Sequence, residues 1–175
     1  MWNGTLSARD HPLGFFMTFG CYGARLPGDQ RGTVDHARVA RRATVREPHG
    51  GLEDAMLAAL RFAPALLDAR RRYIVCESLL EVCRLKSWGL HAANVRSNHV
   101  HVVVAAAAAP DEMLRTFKAI ATRRLREAAL LGAGEPIWSE HGWTRFLWDE
   151  RALVAAVEYV VHHQGPPLPM VPPGA

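Results

Sequence analysis

The sequence predicts an α+β fold, an antiparallel sheet with helices packed on one face. Two observations carry this. Strand-like and helix-like runs alternate in the order strand, helix, strand, strand, helix, short strand, helix. The two most β-prone runs, Leu90–Val95 and His99–Val104, are separated only by Arg96-Ser97-Asn98, a turn short enough to make an antiparallel hairpin. That alternation is what a split βαβ, ferredoxin-like (RRM-like) sheet produces.

Each element has its own justification. Phe15–Gly23 is aromatic-rich and reads as the first strand, with Gly20 and Gly23 marking a bulge or its end. Residues 24–50 are rich in Gly, Pro and Arg without an apolar period, a long insertion after that strand. Leu52–Phe62 has the spacing of a short amphipathic helix. A longer helix is expected from about Leu67 to Trp88, its stripe formed by Val75, Cys76, Leu79, Leu80, Val82 and Cys83. After the hairpin, Asp111 is placed to cap a helix reaching about Leu131, and Gly132 and Gly134 stop it. Ile137–Trp148 suggests two short strands or an irregular ribbon. Asp149 caps a last helix to about His163. The domain is read as 15–164, and the proline-rich segment 165–175 as a tail with no reason to fold.

Composition narrows the class. The chain has 175 residues, 49% apolar and 22% charged, which suits one globular domain with a real core. No run of eighteen apolar residues exists, and Met1-Trp2-Asn3-Gly4 does not begin a secretory signal, so a cytoplasmic protein off the membrane is expected. Cys21, Cys76 and Cys83 fit neither a disulfide framework nor a zinc pattern, and are read as core thiols. The net charge is +4, and all the cationic side chains except Lys86 and Lys118 are arginines. Planar guanidinium forks suit phosphate and base edges, although a GC-rich genome produces the same excess.

Three groups of residues can carry chemistry. His99 and His101 share one face of a strand, about 6.6 Å apart along the chain, so both imidazoles can converge on one ion. Alone, such a pair more often means exposed histidines on a sheet. Tyr159 lies beside the apolar stripe of the last helix, and His163 is one turn further on the same face. A boundary tyrosine with a histidine favouring the helix dipole is the plainer reading. On the helix from Asp111, Arg115, Lys118, Thr122 and Arg126 stack opposite the apolar face, with Arg123 and Arg124 nearby. That strip can track a phosphate backbone or be a solvated charged face. No glycine-rich phosphate loop, nucleophile elbow or zinc finger is present.

Taken together, these segments resemble a family. HVHVVV after Arg-Ser-Asn, within this element order, is similar to the His-hydrophobic-His motif of single-tyrosine HUH transposases. FFMTFGCYGARLPGD, WSEHGWTRFLW and EYVVHHQG resemble the REP-associated tyrosine transposases and the IS-like group, over roughly residues 15–165. The resemblance implies a metal-dependent enzyme that nicks and rejoins single-stranded or hairpin DNA through a 5′-phosphotyrosine. His99 and His101 match its metal pair and Tyr159 its nucleophile. A third ligand is expected from the tyrosine helix. That position is His163, with Gln164 one residue later; helical spacing favours His163, and a widened turn would favour Gln164. The cofactor implied is Mg²⁺ or Mn²⁺. Arg115, Lys118, Arg123 and Arg126 are expected to contact DNA. Relatives include dimers, with the tyrosine helix supplied in trans, and monomers, so a homodimer is one expectation. Two other readings stay open: a catalytically silent RRM-like nucleic-acid-binding module, and a metal-dependent phosphodiesterase that uses water.

Overall fold

Strand alternation in the hairpin organises the molecule. In His99–Ala105 the side chains of Val100, Val102 and Val104 go to one face and those of His99, His101 and Val103 to the other. The computed structural model describes residues 11–24, 33–34, 45–46 and 50–172. In chain order the elements are β1 (Gly14–Cys21), β2 (Thr33–Val34), β3 (Val45–Arg46), α1 (Gly50–Ala58) and α2 (Ala69–Lys86). They continue with β4 (Gly89–Val95), β5 (His99–Ala105), α3 (Pro110–Glu127), β6 (Trp138–Leu147) and α4 (Glu150–His162). The main sheet is antiparallel throughout, in the order β4-β5-β1-β6, as the ferredoxin-like expectation requires.

The core lies mainly between that sheet and the α2–α3 pair. Phe15, Met17 and Phe19 of β1 join Val100, Val102 and Val104 of β5 beneath Val75, Leu79 and Val82 of α2 and Met113, Phe117 and Leu125 of α3. Each fully buried side chain of this kind contributes roughly 1.5–3 kcal/mol. The expectation that the helices share one face holds for α2 and α3 and fails for α4. That helix lies on the opposite face, where Ala156 and Val160 pack with Ala92, Val103 and Leu147. The cause is in β5 itself: Val103 needs an apolar cover on the histidine face, and the stripe of α4 supplies it.

Several boundaries differ from the sequence expectation. The long helix is shorter, 69–86, because Asp68 caps it by accepting from Arg71 N, and Ser87 ends it in the left-handed region. Its buried stripe includes Arg72 and Ser78, and Leu80 is exposed. Asp111 is not the cap of α3; Ala109 precedes Pro110, which starts the helix, and Asp111 sits in its first turn, where the dipole favours an acid. Segment 138–147 is a single ten-residue strand rather than two short ones, held along β1 with a bulge at Phe19/Cys21. Asp149 caps α4 as expected, accepting from Ala152 N at 2.8 Å.

The proline-rich segment is tied down over part of its length, contrary to the expectation of a free tail. The buried Arg72 guanidinium donates to Pro169 O at 2.6 and 3.1 Å and to Leu67 O at 2.6 Å. Val171 N donates to Ala69 O, and Arg96 to Pro166 O. A buried guanidinium needs carbonyl partners, and a proline-rich strand presents them. The expectations for Met1–Gly4, residues 173–175 and most of insertion 24–50 lie outside the described residues; within the insertion, β2 pairs antiparallel with β3. The three cysteines are free, and burial pushes the Cys21 thiol up to about 12 and Cys83 up to about 11, as core thiols should be.

The β6 bulge has a specific support. Lys118 Nζ donates to the carbonyls of Ser139, Glu140 and His141 at 2.9, 3.1 and 3.1 Å, and burial lowers the pKa of this ammonium. Lys118→Met is therefore expected to lower unfolding stability by about 1.5–3 kcal/mol, the scale of charge-assisted hydrogen bonds. Arg126→Gln on the same helix should change it by less than about 0.5 kcal/mol. Urea unfolding monitored by circular dichroism measures both.

Candidate active site

The sheet register assembles one row of side chains on the α4 face. Asn94 of β4 is opposite His101 of β5, His101 is opposite Thr18 of β1, and Thr18 is opposite Trp143 of β6. His99 is two residues from His101 on the same face, and the two rings meet at 4.7 Å between centroids, 78° apart. Above them α4 brings Tyr159, whose ring is 6.0 Å from that of His101 and 5.7 Å from that of Phe16. The tyrosine is 44% exposed while His101 is 7% exposed, so the ring stands at the rim of the buried imidazole.

Both imidazoles are oriented from behind. Thr18 Oγ1 is 2.7 Å from His101 Nδ1, and Asn98 Oδ1 is 2.7 Å from His99 Nδ1. An amide oxygen can only accept, so the His99 Nδ1 carries the proton of this hydrogen bond. Side-chain partners on Nδ1 are how metal-binding histidines are usually held, with coordination left to Nε2. Burial above all, with the neighbouring His99 and Arg96, brings the His101 imidazole down to about 4, while the Gln164 side chain works the other way. The ring is neutral at pH 7, the form that ligates a cation.

α4 ends one turn beyond Tyr159. His163 is the C-cap, its backbone N–H donating to Tyr159 O at 3.1 Å, and Gly165 has φ +78°, a left-handed conformation that glycine adopts without strain. The helix therefore stops before Gln164 and the chain folds back. Gln164 Nε2 donates to Tyr159 O at 3.2 Å, and the side chain lies close enough to the His101 ring to act on its titration. His163 is exposed and stacks along Tyr159, with ring centroids 6.5 Å apart and planes 13° apart. Helical spacing places His163 beside Tyr159, as observed, and the reversal after the last turn sets the Gln164 amide near the His101 ring. No third His, Cys, Asp or Glu joins the histidines among the described residues.

The basic strip is elsewhere. Arg115, Lys118, Arg123 and Arg126 line a shallow groove on α3, on the far side of the sheet from His99 and His101. Lys118 is committed to the β6 carbonyls, and Arg123 is 3.6 Å from Glu127. The structure does not bring this strip to the histidine pair. Sequence reasoning also missed Asn94, which donates to Val160 O at 2.9 Å and fixes α4 over the sheet. Its signal was alternation: Asn94 is a lone amide in an apolar strand, opposite a histidine.

Residues 65–158, just over half of the chain, match the family of IS200-like transposases. The chain belongs to that family. The matched span contains both histidines and ends one residue before Tyr159. Among solved structures, a REP-associated tyrosine transposase bound to a REP hairpin is similar, with 13% identity, a TM-score of 0.48, and coverage of 91% of this chain and 70% of that one. A protein described as a transposase, from Deinococcus radiodurans, has 12% identity and a TM-score of 0.47, covering 91% of this chain and 95% of that one. No curated protein matches the sequence. Among the described residues, no helix of this IS200-like protein is long and apolar enough to cross a membrane.

The depressed His101 pKa gives a signed pH dependence for the metal-free protein. As pH falls below the ordinary value of 6.5, the unfolded chain takes up a proton that folded His101 refuses until about 4. Stability is thus lost between about 6.5 and 4 and the loss levels off below, reaching about 3 kcal/mol. Urea unfolding between pH 7 and pH 4 should show this extra loss in the wild type and not in His101→Gln.

Proposed function

We propose that this chain is a metal-dependent DNA transposase that nicks and rejoins single-stranded or hairpin DNA through a covalent bond to Tyr159. The observation that carries the reading is the placement of a half-exposed tyrosine ring 6.0 Å from a buried, neutral histidine of a paired set, within one chain. Two imidazoles and an amide oxygen suit a divalent cation that keeps further positions for phosphate and water, so His99, His101 and Gln164 would hold Mg²⁺ or Mn²⁺. When bound, that ion supplies charge stabilisation at a non-bridging phosphate oxygen.

The residues do the rest. Thr18 and Asn98 keep the imidazoles in one orientation. Asn94, together with the packing of Ala156 and Val160, holds α4 so that Tyr159 stays above the pair. The Tyr159 oxygen gives its proton to solvent and attacks phosphorus; the bond from phosphorus to the 3′ oxygen breaks, and that oxygen leaves as a hydroxyl after taking up a proton. The phosphodiester energy is kept in the 5′-phosphotyrosine, so a second 3′-hydroxyl can reverse the step and join two strands.

Incubation with end-labelled hairpin or single-stranded DNA and Mn²⁺ should give a covalent adduct on a denaturing gel. Tyr159→Phe is expected to abolish it, and His101→Ala or a chelator to reduce it at least 100-fold. An adduct retained by Tyr159→Phe would sink the assignment. Turnover without any adduct would indicate attack by water.

A further inference from the structure

α4 lies mainly over β4 and β5 and meets β6 at its Leu147 end, so on the same sheet face the β6 stretch of Trp143 and Arg145 stays exposed. Two side chains stand out there. Trp143, 46% exposed, is in register with Thr18 and packs edge-to-face on Phe16 at 5.6 Å and 85°. Arg145, two residues on and in register with Phe16, projects from the same face; it is exposed and has no hydrogen-bond or ion-pair partner among the described residues. Strand geometry puts Trp143 two strand spacings, roughly 10 Å, from His101.

An exposed indole costs solvation unless something covers it, and here the ring is fixed rather than free. The Phe16 edge contact holds one side of the indole, and Phe16 itself touches His101 and Tyr159 at 5.6 and 5.7 Å. The unpaired guanidinium beside it asks for an anion. A flat aromatic face with a cation one pleat away, on an open antiparallel sheet, matches a nucleotide: the base stacks and the adjoining phosphate pairs. A protein partner would be expected to require a larger apolar area than one indole.

We infer that Trp143 and Arg145 form a stacking and phosphate-binding platform for the single DNA strand, guiding it across the sheet toward Tyr159. This deepens the proposed function and rests on it for the identity of the strand. Trp143 and Arg145 are positioning residues and take no part in the bond changes. Lys118 and the α3 strip, behind the sheet, are not required for it.

The test separates binding from chemistry. Affinity for a labelled single-stranded oligonucleotide is measured without metal, across a salt series, with the full chain carrying Tyr159→Phe. Trp143→Leu should weaken binding about 5- to 100-fold, and Trp143→Phe should restore most of it because a π-face returns. Arg145→Gln should lower the slope of log affinity against log salt by about one ion. Affinity unchanged in Trp143→Leu, or an unchanged slope in Arg145→Gln, overturns the platform. Should Trp143→Leu fold poorly, the Arg145→Gln slope decides alone. Adduct formation is scored separately in chains that keep Tyr159. Binding that depends on Trp143 with no adduct from the wild type refutes nicking and leaves the platform standing. An adduct formed equally well by Trp143→Leu, with equal affinity, refutes the platform and leaves nicking standing.

Discussion

Everything in the site depends on the two-residue alternation of β5. With Val100, Val102 and Val104 locked at full burial in the main core, the strand cannot slip by one residue without sending its histidines into that core and its valines into solvent. The register with β1 and β4 is held by the same constraint. It sets Thr18 behind His101 on one side and Asn94 beside it on the other. Val103 completes the arrangement, since burying it demands an apolar helix on the histidine face, and α4 carries the tyrosine. The packing that stabilises the fold is thus the packing that puts the phenol over the imidazoles.

A buried neutral histidine is costly to keep as pH falls. A structural role would be served by an apolar residue, which loses nothing on acidification. The hydroxyl of Thr18 and the amide of Asn98 instead meet the Nδ1 atoms of His101 and His99. The chain reversal at Gly165 matters for the same reason. It returns Gln164 to the sheet and sends segment 166–171 across Arg96 and Arg72, so the end of α4 is held at several points.

Much of this was legible in the sequence because it is periodic. The valine alternation, the short Arg96–Asn98 connection, the Asp149 cap and the place of Tyr159 beside an apolar stripe all follow from local rules. What was not legible is tertiary. Nothing local says that α4 covers the opposite face from α2 and α3, and this also separates the basic strip on α3 from the histidines. Lys118 looks like a surface cation on its helix; only the β6 bulge, with its unpaired carbonyls, makes it an internal support. Choosing between His163 and Gln164 required knowing where α4 ends. Gly165 was the sign, a glycine just after the final periodic residue, but the helical spacing of Tyr159 and His163 pointed the other way.

The function proposed for this IS200-like transposase turns on one claim, that His99, His101 and Gln164 form a cation site beside Tyr159. A crystal of the protein soaked in Mn²⁺, with anomalous diffraction data, tests it most directly. One strong anomalous peak is expected on the α4 face, about 2.0–2.3 Å from an imidazole nitrogen of each histidine and from the Gln164 amide oxygen. A peak coordinated through His163, or no peak at the histidine pair while Mn²⁺ binds elsewhere, would contradict it.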